Sequence, residues 1–491
     1  MSTDTAFAPA LPRVPHARLI IATMLISTFM AAVEVTVIST AMPTIVATLG
    51  GFRLFSWAFG IYLLAQAVMT PLYGRLADTF GRKSVYLGGT ALFLAGSLLC
   101  GLAWSMPALI LFRAIQGIGG GSLAPLATTI LGDISAPQDR PRLIGYVSGI
   151  WGIAAVVGPL LGAFFVHTMG WEFCFWVNLP IGLVTMTMVW RYLREDPRMR
   201  THAPIDAAGC LLLIAGLGIM MAALVGFDRL STAGLIGWLA LAFLLLGGFA
   251  WRERRVPHPL LPLQLVLRPL LLVANGSALL AGALLICVTA FLPPLVQGVL
   301  GGDALASGIL LGVLTVAWTA ASMTIGRAVG RGRDRRLAAS AALIILLGMA
   351  ALVPIADARS LIGLDLIGIP IGAGMGLLSI VFTVAAQSGV PARERGRSTA
   401  LFYFSRLMGQ ALGAAAFGGV LNAGLGATHG HDLMRELVDP VLRAGLTAGD
   451  LAMASARLGS ALHDVFLVAA VIAAVTLIVT LLTPGTRDAP R

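Results

Sequence analysis

The stretch GRLADTFGRK, residues 74–83, is a charged turn that follows the second of many long apolar runs. A similar Gly-Arg-rich turn, GRAVGRGRDRR at residues 326–336, follows the tenth apolar run. Two parallel halves related about the membrane normal give repeated turns of this kind. Because eight runs rather than six separate the two turns, the repeat predicts two six-helix bundles with two additional helices between them.

The composition is that of an integral membrane protein. Of the 491 residues, 58% are hydrophobic and 11% are charged, which leaves too little charged surface for a soluble chain of this size. The first apolar run is too long for a signal-peptide core and lacks a small-residue cleavage site, so we expect it to remain in the mature protein. The four cysteines are scattered singly, which predicts neither a disulfide framework nor a metal site.

Fourteen apolar runs have the length of membrane-spanning helices. We predict spans near residues 18–42, 55–73, 84–104, 107–131, 142–167, 173–192, 206–227, 232–250, 270–297, 304–325, 337–356, 360–386, 398–421 and 463–483. With both termini and every even-to-odd joint on one side, that side carries 25 of the 33 Lys and Arg residues and the other side carries 6. Positive residues favour the cytoplasm, so both termini are predicted to be cytoplasmic. The net charge of +11 then reflects topology and predicts no nucleic-acid partner.

The domain prediction follows from these spans. We expect a cytoplasmic tail at 1–17, an N-terminal bundle at 18–200, two linker helices at 201–260, a C-terminal bundle at 261–484 and a cytoplasmic tail at 485–491. An outer loop is predicted at 422–462, where spaced leucines and charges fit either amphipathic turns on the membrane surface or a flexible loop.

Several motifs carry a resemblance to the major facilitator superfamily. GRLADTFGRK resembles its loop motif through Gly74, Asp78, Gly81, Arg82 and Lys83. LILFRAIQGIGGG is similar to its fourth-helix motif, and GIAAVVGPLLGA is similar to its fifth-helix antiporter motif. WEFCFWVNLPIG (171–182) and PIDAAG (204–209) resemble segments of the fourteen-span drug:proton antiporters of the EmrB/QacA type.

The resemblance implies an all-α major facilitator fold, with departures at particular residues. Glu34 stands where the subfamily usually carries Asp, and Glu172 stands where it often has Arg. Ala154 and Ala163 replace glycines of the antiporter motif.

Glu34 and Arg113 are the predicted proton-coupling residues. Glu34 interrupts the apolar run TFMAAVEVTVIST, about 13 Å below the predicted outer end of its span, and Arg113 lies about 9 Å below the same face. Opposite charges at matching depth within one bundle are suited to a protonatable site. The alternatives are that Glu34 only holds helices together and that Arg113 is a structural tie.

Two further sets of residues take their predicted roles from the resemblance. A charge network that latches one conformation is implied for Gly74, Asp78, Gly81, Arg82, Lys83 and Asp133, although these residues also fit a solvated loop. The antiporter motif, which prevents leak in the family, comprises Gly152, Gly158, Pro159 and Gly162. Close helix packing alone also explains those glycines.

Aromatic and polar residues on spans that line a central cavity by resemblance are candidate substrate contacts. They are Tyr62, Gln66, Trp151, Trp318, Phe382, Tyr403 and Arg406. Plain helix packing is the alternative for each, and Arg406 could instead extend to the cytoplasmic interface.

The sequence thus predicts a transporter rather than an enzyme. The only lysine, Lys83, follows Arg82 and not glycine, so no nucleotide-binding loop is present, and no catalytic motif was found. We expect a proton-driven antiporter without cofactors in the bacterial inner membrane, exporting amphipathic cationic or neutral drug-like compounds by alternating access. The alternatives are a carrier of one metabolite, lipid or anion on the same fold, and a channel or receptor. Lipid, protons and a small molecule are the expected partners, and an adaptor protein stays open.

Overall fold

The computed structural model describes residues 16–135, 140–195, 206–257, 259–325, 329, 334–357, 360–388, 390–391, 394–426, 437, 443 and 445–484. In this part of the chain it contains fourteen helices of 15 residues or more and no strand. The helices are α1 Ala17–Leu49, α2 Phe55–Phe80, α3 Arg82–Gly101, α4 Met106–Ile134, α5 Arg140–Thr168, α6 Asn178–Tyr192, α7 Ala207–Val225, α8 Thr232–Glu253, α9 Pro269–Pro294, α10 Ala304–Ile325, α11 Asp334–Asp357, α12 Leu361–Ser388, α13 Arg395–Leu425 and α14 Ala448–Leu481. Short helical turns precede α2, α6 and α9, and a π-helical turn, Leu295–Val299, follows α9.

Thirteen helical stretches among the described residues are long and apolar enough to cross a membrane. The helix outside that set is α13, which has 31 residues but contains many glycines together with Arg406, Gln410 and Asn422. The chain is therefore an all-α, multi-pass membrane protein with about thirteen candidate spans.

Several helices are longer than predicted. The first span was expected to end just before Pro43, but α1 continues through Pro43 to Leu49. The second span was expected to end at residue 73, but α2 continues to Phe80. Lipid offers no other hydrogen-bond partner to the backbone, so one missing N–H does not end a helix there. Glu34 consequently lies about 22 Å from the end of α1, deeper than the predicted 13 Å.

The predicted outer loop at 422–462 is wrong over much of its length. α13 continues to Leu425, and α14 already begins at Ala448. The Thr447 hydroxyl accepts a hydrogen bond from the Asp450 backbone N–H at 3.2 Å, and Leu458 and Leu462 continue a buried stripe at helical spacing. Residues 427–436 of this loop, like both predicted tails, lie outside the described residues.

The helices pack in two groups with the same internal pattern. In the first group α1 packs on α4, α5 and α6, while α4 also packs on α2 and α3. The second group repeats these pairs eight helices later, since α9 packs on α12, α13 and α14, while α12 also packs on α10 and α11. The boundaries predicted for the domains stay a prediction.

The two groups meet along two seams, α2 with α13 and α5 with α10. Two faces of the protein are defined by contacts between helix ends. The Arg53 face is the side on which Arg53, just before α2, contacts Asn422, near the end of α13. The His16 face is the side on which His16, just before α1, contacts Tyr192, at the end of α6. At the Arg53 face the Asn422 amide donates to the Arg53 carbonyl at 3.1 Å, and the Gln297 amide donates to the Thr40 carbonyl at 3.2 Å. These contacts hold the groups together at the Arg53 face.

Helices α7 and α8 form a hairpin beside the first seam. α7 packs on both α2 and α13, and it therefore bridges the two groups. Arg53 pairs with Asp228 of the α7–α8 connection at 2.6 Å, and Arg252 pairs with Asp206 at the start of α7 at 2.7 Å.

Candidate functional site

A buried ion pair lies at the centre of the first helix group. The structure brings Glu34 of α1 and Arg113 of α4 into direct contact, with a hydrogen bond from Arg113 Nη1 to Glu34 Oε1. The Glu34 side chain is 0% exposed and that of Arg113 is 2% exposed. The sequence placed the two residues at similar depth, and the fold turns both inward between the same helices.

Close helix approach makes this contact geometrically feasible. A Cβ atom on Gly117 of α4 would lie 2.5 Å from the Tyr62 carbonyl oxygen of α2, and one on Gly96 of α3 would lie 2.5 Å from the Gln116 backbone. Only glycine fits at these crossings, because small residues let membrane helices approach closely. The side chains of α4 therefore reach α1 across a narrow interior.

Arg113 is held by several partners besides the carboxylate. Its Nε donates to the Ala58 carbonyl at 3.1 Å, and its Nη1 donates to Gln116 Oε1 at 2.7 Å. Its guanidinium carbon lies 4.0 Å from the centroid of the Tyr62 ring, a cation–π distance. The guanidinium is thus oriented even before Glu34 is considered.

The second carboxylate oxygen has a partner that sequence reasoning missed. Asn178 of α6 donates from Nδ2 to Glu34 Oε2 at 2.5 Å and to Ser97 Oγ at 3.0 Å. The Ser97 hydroxyl in turn donates to the Phe175 carbonyl at 2.8 Å. The available signal was an amide in the otherwise apolar segment FWVNLPIG.

Two polar atoms of this network are enclosed without a partner. The Asn178 Oδ1 atom and the Tyr62 hydroxyl have no hydrogen-bond partner among the described residues. Buried polar atoms without a partner are rare in folded proteins, so each needs an explanation.

The loop-motif residues form a separate cluster at the His16 face. Arg82 at the start of α3 forms an ion pair with Asp133 near the end of α4. Lys83 donates from Nζ to the carbonyls of Trp190 and Leu193 at 2.7 and 2.9 Å, so it caps the end of α6. Gly81 has a φ of +94°, which favours glycine at this turn. Asp78 and Gly74 are exposed.

The antiporter-motif glycines pack α5 against α1. A Cβ atom on Gly158 would lie 1.9 Å from Thr36 Oγ1, and one on Gly162 would lie 2.4 Å from the Val37 carbonyl oxygen. The Thr40 hydroxyl donates to the Pro159 carbonyl at 3.1 Å. These residues form a tight helix contact within the first group.

Gly152 lies instead at the seam between the groups. A Cβ atom there would lie 3.2 Å from the Thr319 side chain of α10. The four motif residues thus serve two different interfaces.

The cavity candidates divide into two sets. Tyr62, Gln66 and Phe382 are buried in helix packing, so they present little open surface. Trp151, Trp318, Tyr403 and Arg406 remain partly exposed. The guanidinium carbon of Arg406 lies 6.0 Å from the Trp318 ring centroid and 5.7 Å from that of Tyr403.

Comparison with known proteins finds bacterial relatives. The chain is 32% identical over 403 residues to multidrug resistance protein 3 of Bacillus subtilis, covering 81% of this chain and 78% of that protein. It is also 32% identical over 412 residues to the multidrug transporter protein MdtP of the same organism, covering 82% and 75%. Both relatives are transporters and not enzymes.

Solved structures show the same fold at low identity. A bacterial homologue of the human lysosomal transporter Spinster, in an inward-facing and unoccupied conformation, superposes with a TM-score of 0.67 at 15% identity over 96% of this chain and 97% of that one. The family model described as Major Facilitator Superfamily matches residues 24–414. The chain therefore belongs to the Major Facilitator Superfamily.

Proposed function

We propose that this protein is a proton-coupled secondary active exporter, exchanging inward protons for outward amphipathic compounds by alternating access. The single observation that carries the proposal is the fully enclosed Glu34, paired with Arg113 and hydrogen-bonded to Asn178. Ionisable groups at membrane depth are costly and usually mark ion pathways. The multidrug names of two relatives support the amphipathic substrate class.

We further propose that α13 is a fourteenth span and that the chain is of the fourteen-span drug:proton antiporter type. α13 packs on α2, α7, α9, α12 and α14. Its Gln410 and Asn422 are buried in protein, so its polar residues need not face lipid. The two bundles, with α7 and α8 between them, then have the organisation that the repeated turns predict.

In the proposed orientation the His16 face is cytoplasmic in a bacterial inner membrane. The contacts at Asn422 and Gln297 then close the outer side, as expected for an inward-facing state. The Arg82–Asp133 pair, which joins α3 and α4, is proposed to latch one conformation and to break in the other. No cofactor is needed, because a pH difference of about one unit supplies about 1.4 kcal/mol per proton.

The test is proton-driven uptake of a dye into proteoliposomes that contain the purified protein. With an acid lumen we expect uphill uptake of rhodamine 6G coupled to stoichiometric proton efflux, and collapse of that uptake when a protonophore is added. Dye movement that ignores the protonophore and stops at equal concentrations would indicate a channel and refute antiport. Liposomes lacking the protein are the control.

A further inference from the structure

Arg406 is a cation within a helix of the second group, about 17 Å along α13 from Arg395. Its guanidinium extends towards the partly exposed rings of Tyr403 on its own helix and Trp318 on α10. It is thereby placed beside two flat aromatic surfaces rather than against lipid alone.

No carboxylate neutralises this cation within the described part of the chain. Two acidic residues of the second group pair elsewhere: Glu394 with Arg268 at 3.1 Å, and Asp357 with His463 at 2.9 Å. Arg113, which is buried in the first group, has a carboxylate, an amide and a carbonyl as partners. A cation without a counter-ion at membrane depth is costly. The presence of Arg406 at this depth is explained if a bound ligand supplies the anion.

We propose that Arg406 binds the anionic group of an aromatic amphipathic substrate, with Trp318 and Tyr403 stacking on its ring system. A guanidinium donates two parallel hydrogen bonds to carboxylate, sulfonate or phosphate oxygens, and the aromatic neighbours of Arg406 favour a planar ligand. The enclosed Glu34, at 0% exposure, offers no accessible surface that would select a cation. This inference rests on the proposed export function and names one class of its substrates, beside cations such as rhodamine 6G that do not use this guanidinium.

The test compares two xanthene dyes of similar size, the anion fluorescein and the cation rhodamine 6G. Fluorescence polarisation in neutral detergent measures the dissociation constant of each dye without any proton gradient. We expect Arg406→Gln to weaken fluorescein binding about 10- to 100-fold, as for loss of a charged hydrogen bond. Rhodamine 6G binding should change less than about 2-fold, and Arg406→Lys should retain part of the fluorescein affinity.

Arg397→Gln is the matched control, because it removes the same charge from an exposed site on α13. An unchanged fluorescein constant in Arg406→Gln, an equal loss for both dyes, or no fluorescein binding to folded wild type each overturns the proposal. Displacement of bound fluorescein by phosphatidylglycerol, but not by phosphatidylcholine, would assign the site to a lipid headgroup instead and overturn the substrate assignment. Since binding is read without a gradient, failure of proton coupling is a separate result.

The enclosed amide of Asn178 carries a second inference. Its Nδ2 donates to Glu34 and Ser97, whereas its Oδ1 has no partner among the described residues. An ionised carboxylate only accepts hydrogen bonds, but a protonated one also has an O–H that must find an acceptor. Arg113 cannot accept, so the vacant Asn178 oxygen is the suitable acceptor on α6.

We infer that Asn178 is a positioning residue whose amide turns over as Glu34 gains or loses a proton. In the ionised state Nδ2 donates to Glu34 Oε2, and in the protonated state Oδ1 accepts the Glu34 O–H. The titratable groups facing Glu34 are Arg113 of α4, Tyr62 of α2, Cys100 of α3 and Cys174 of the turn before α6. This inference rests on the proposed proton-coupling role of Glu34.

Infrared difference spectra between acid and neutral pH test the inference without transport. The protonated-carboxyl band that vanishes in Glu34→Gln reports Glu34. In Asn178→Leu we expect this band at higher wavenumber, because the O–H lacks its acceptor. Its titration midpoint should rise by about one pH unit, because a hydrogen bond to a charged carboxylate is worth more than one to the acid.

Asn275→Leu is the matched control, since it removes another buried amide from α9 and should leave the band unchanged. If Asn178→Leu misfolds, Asn178→Ala removes the same groups with less bulk. A Glu34 band with wild-type frequency and midpoint in the folded variant contradicts the inference. Absence of any Glu34 band contradicts it together with the proton-coupling role.

Discussion

Glu34→Gln is expected to abolish uphill, proton-driven dye uptake while leaving the protein folded and able to exchange substrate. Glutamine has the shape of the protonated acid and retains an oxygen for Arg113, but it cannot release a proton. Arg113 also keeps its bonds to Ala58 and Gln116. The variant should therefore resemble one state of the cycle that the fold already accommodates.

Two assays on one proteoliposome preparation separate the outcomes. Uptake of rhodamine 6G under an acid-inside gradient should fall to the protein-free level. Exchange of labelled for unlabelled dye at equal pH should remain within about 3-fold of wild type, a difference below 1 kcal/mol. Asp464→Asn, which neutralises an exposed acid on α14, is the control and should keep uphill uptake. Uphill uptake by Glu34→Gln at the wild-type rate contradicts the coupling role.

The sequence predicted the order of the apolar segments better than their ends. Runs of apolar residues report burial in lipid or protein, so the helices near residues 55, 232 and 304 begin where expected. The rule that proline ends a helix holds in water but misplaced the end of α1 in the membrane. The predicted start of α14, residue 463, was too late, because the first turns of this helix are too polar to be identified as part of a span.

The candidate site was predictable only in part. Glu34 and Arg113 stand out as charges in apolar runs, and their pairing follows from similar depth. Asn178 is neutral, and one amide in an apolar run does not indicate which neighbouring helix it faces. Only the packing of α6 on α1 and α3 brings it to the Glu34 carboxylate. The absence of a described carboxylate near Arg406 depends on distant helices, which periodicity cannot place relative to each other.

Arg113→Met is expected to destabilise the protein more than any other single change discussed above. It leaves the Glu34 carboxylate enclosed with Asn178 as its partner and no cation, and breaking a buried pair in this way costs about 3–5 kcal/mol. The midpoint of a thermal melt in detergent should fall well below that of wild type. Low pH should restore part of the loss, because protonation removes the isolated charge.

A double-mutant cycle distinguishes this electrostatic cost from lost packing. Glu34→Gln/Arg113→Met removes both charges, so its melting midpoint should lie above that of Arg113→Met alone. Arg53→Met is the matched control, since its pair with Asp228 is partly exposed and should contribute about 0.2–1 kcal/mol. If the double variant melts no higher than Arg113→Met, the loss comes from packing around the methionine. Glu34 would then not be a charge that depends on Arg113, and the paired, protonatable site proposed for export would lose its physical basis.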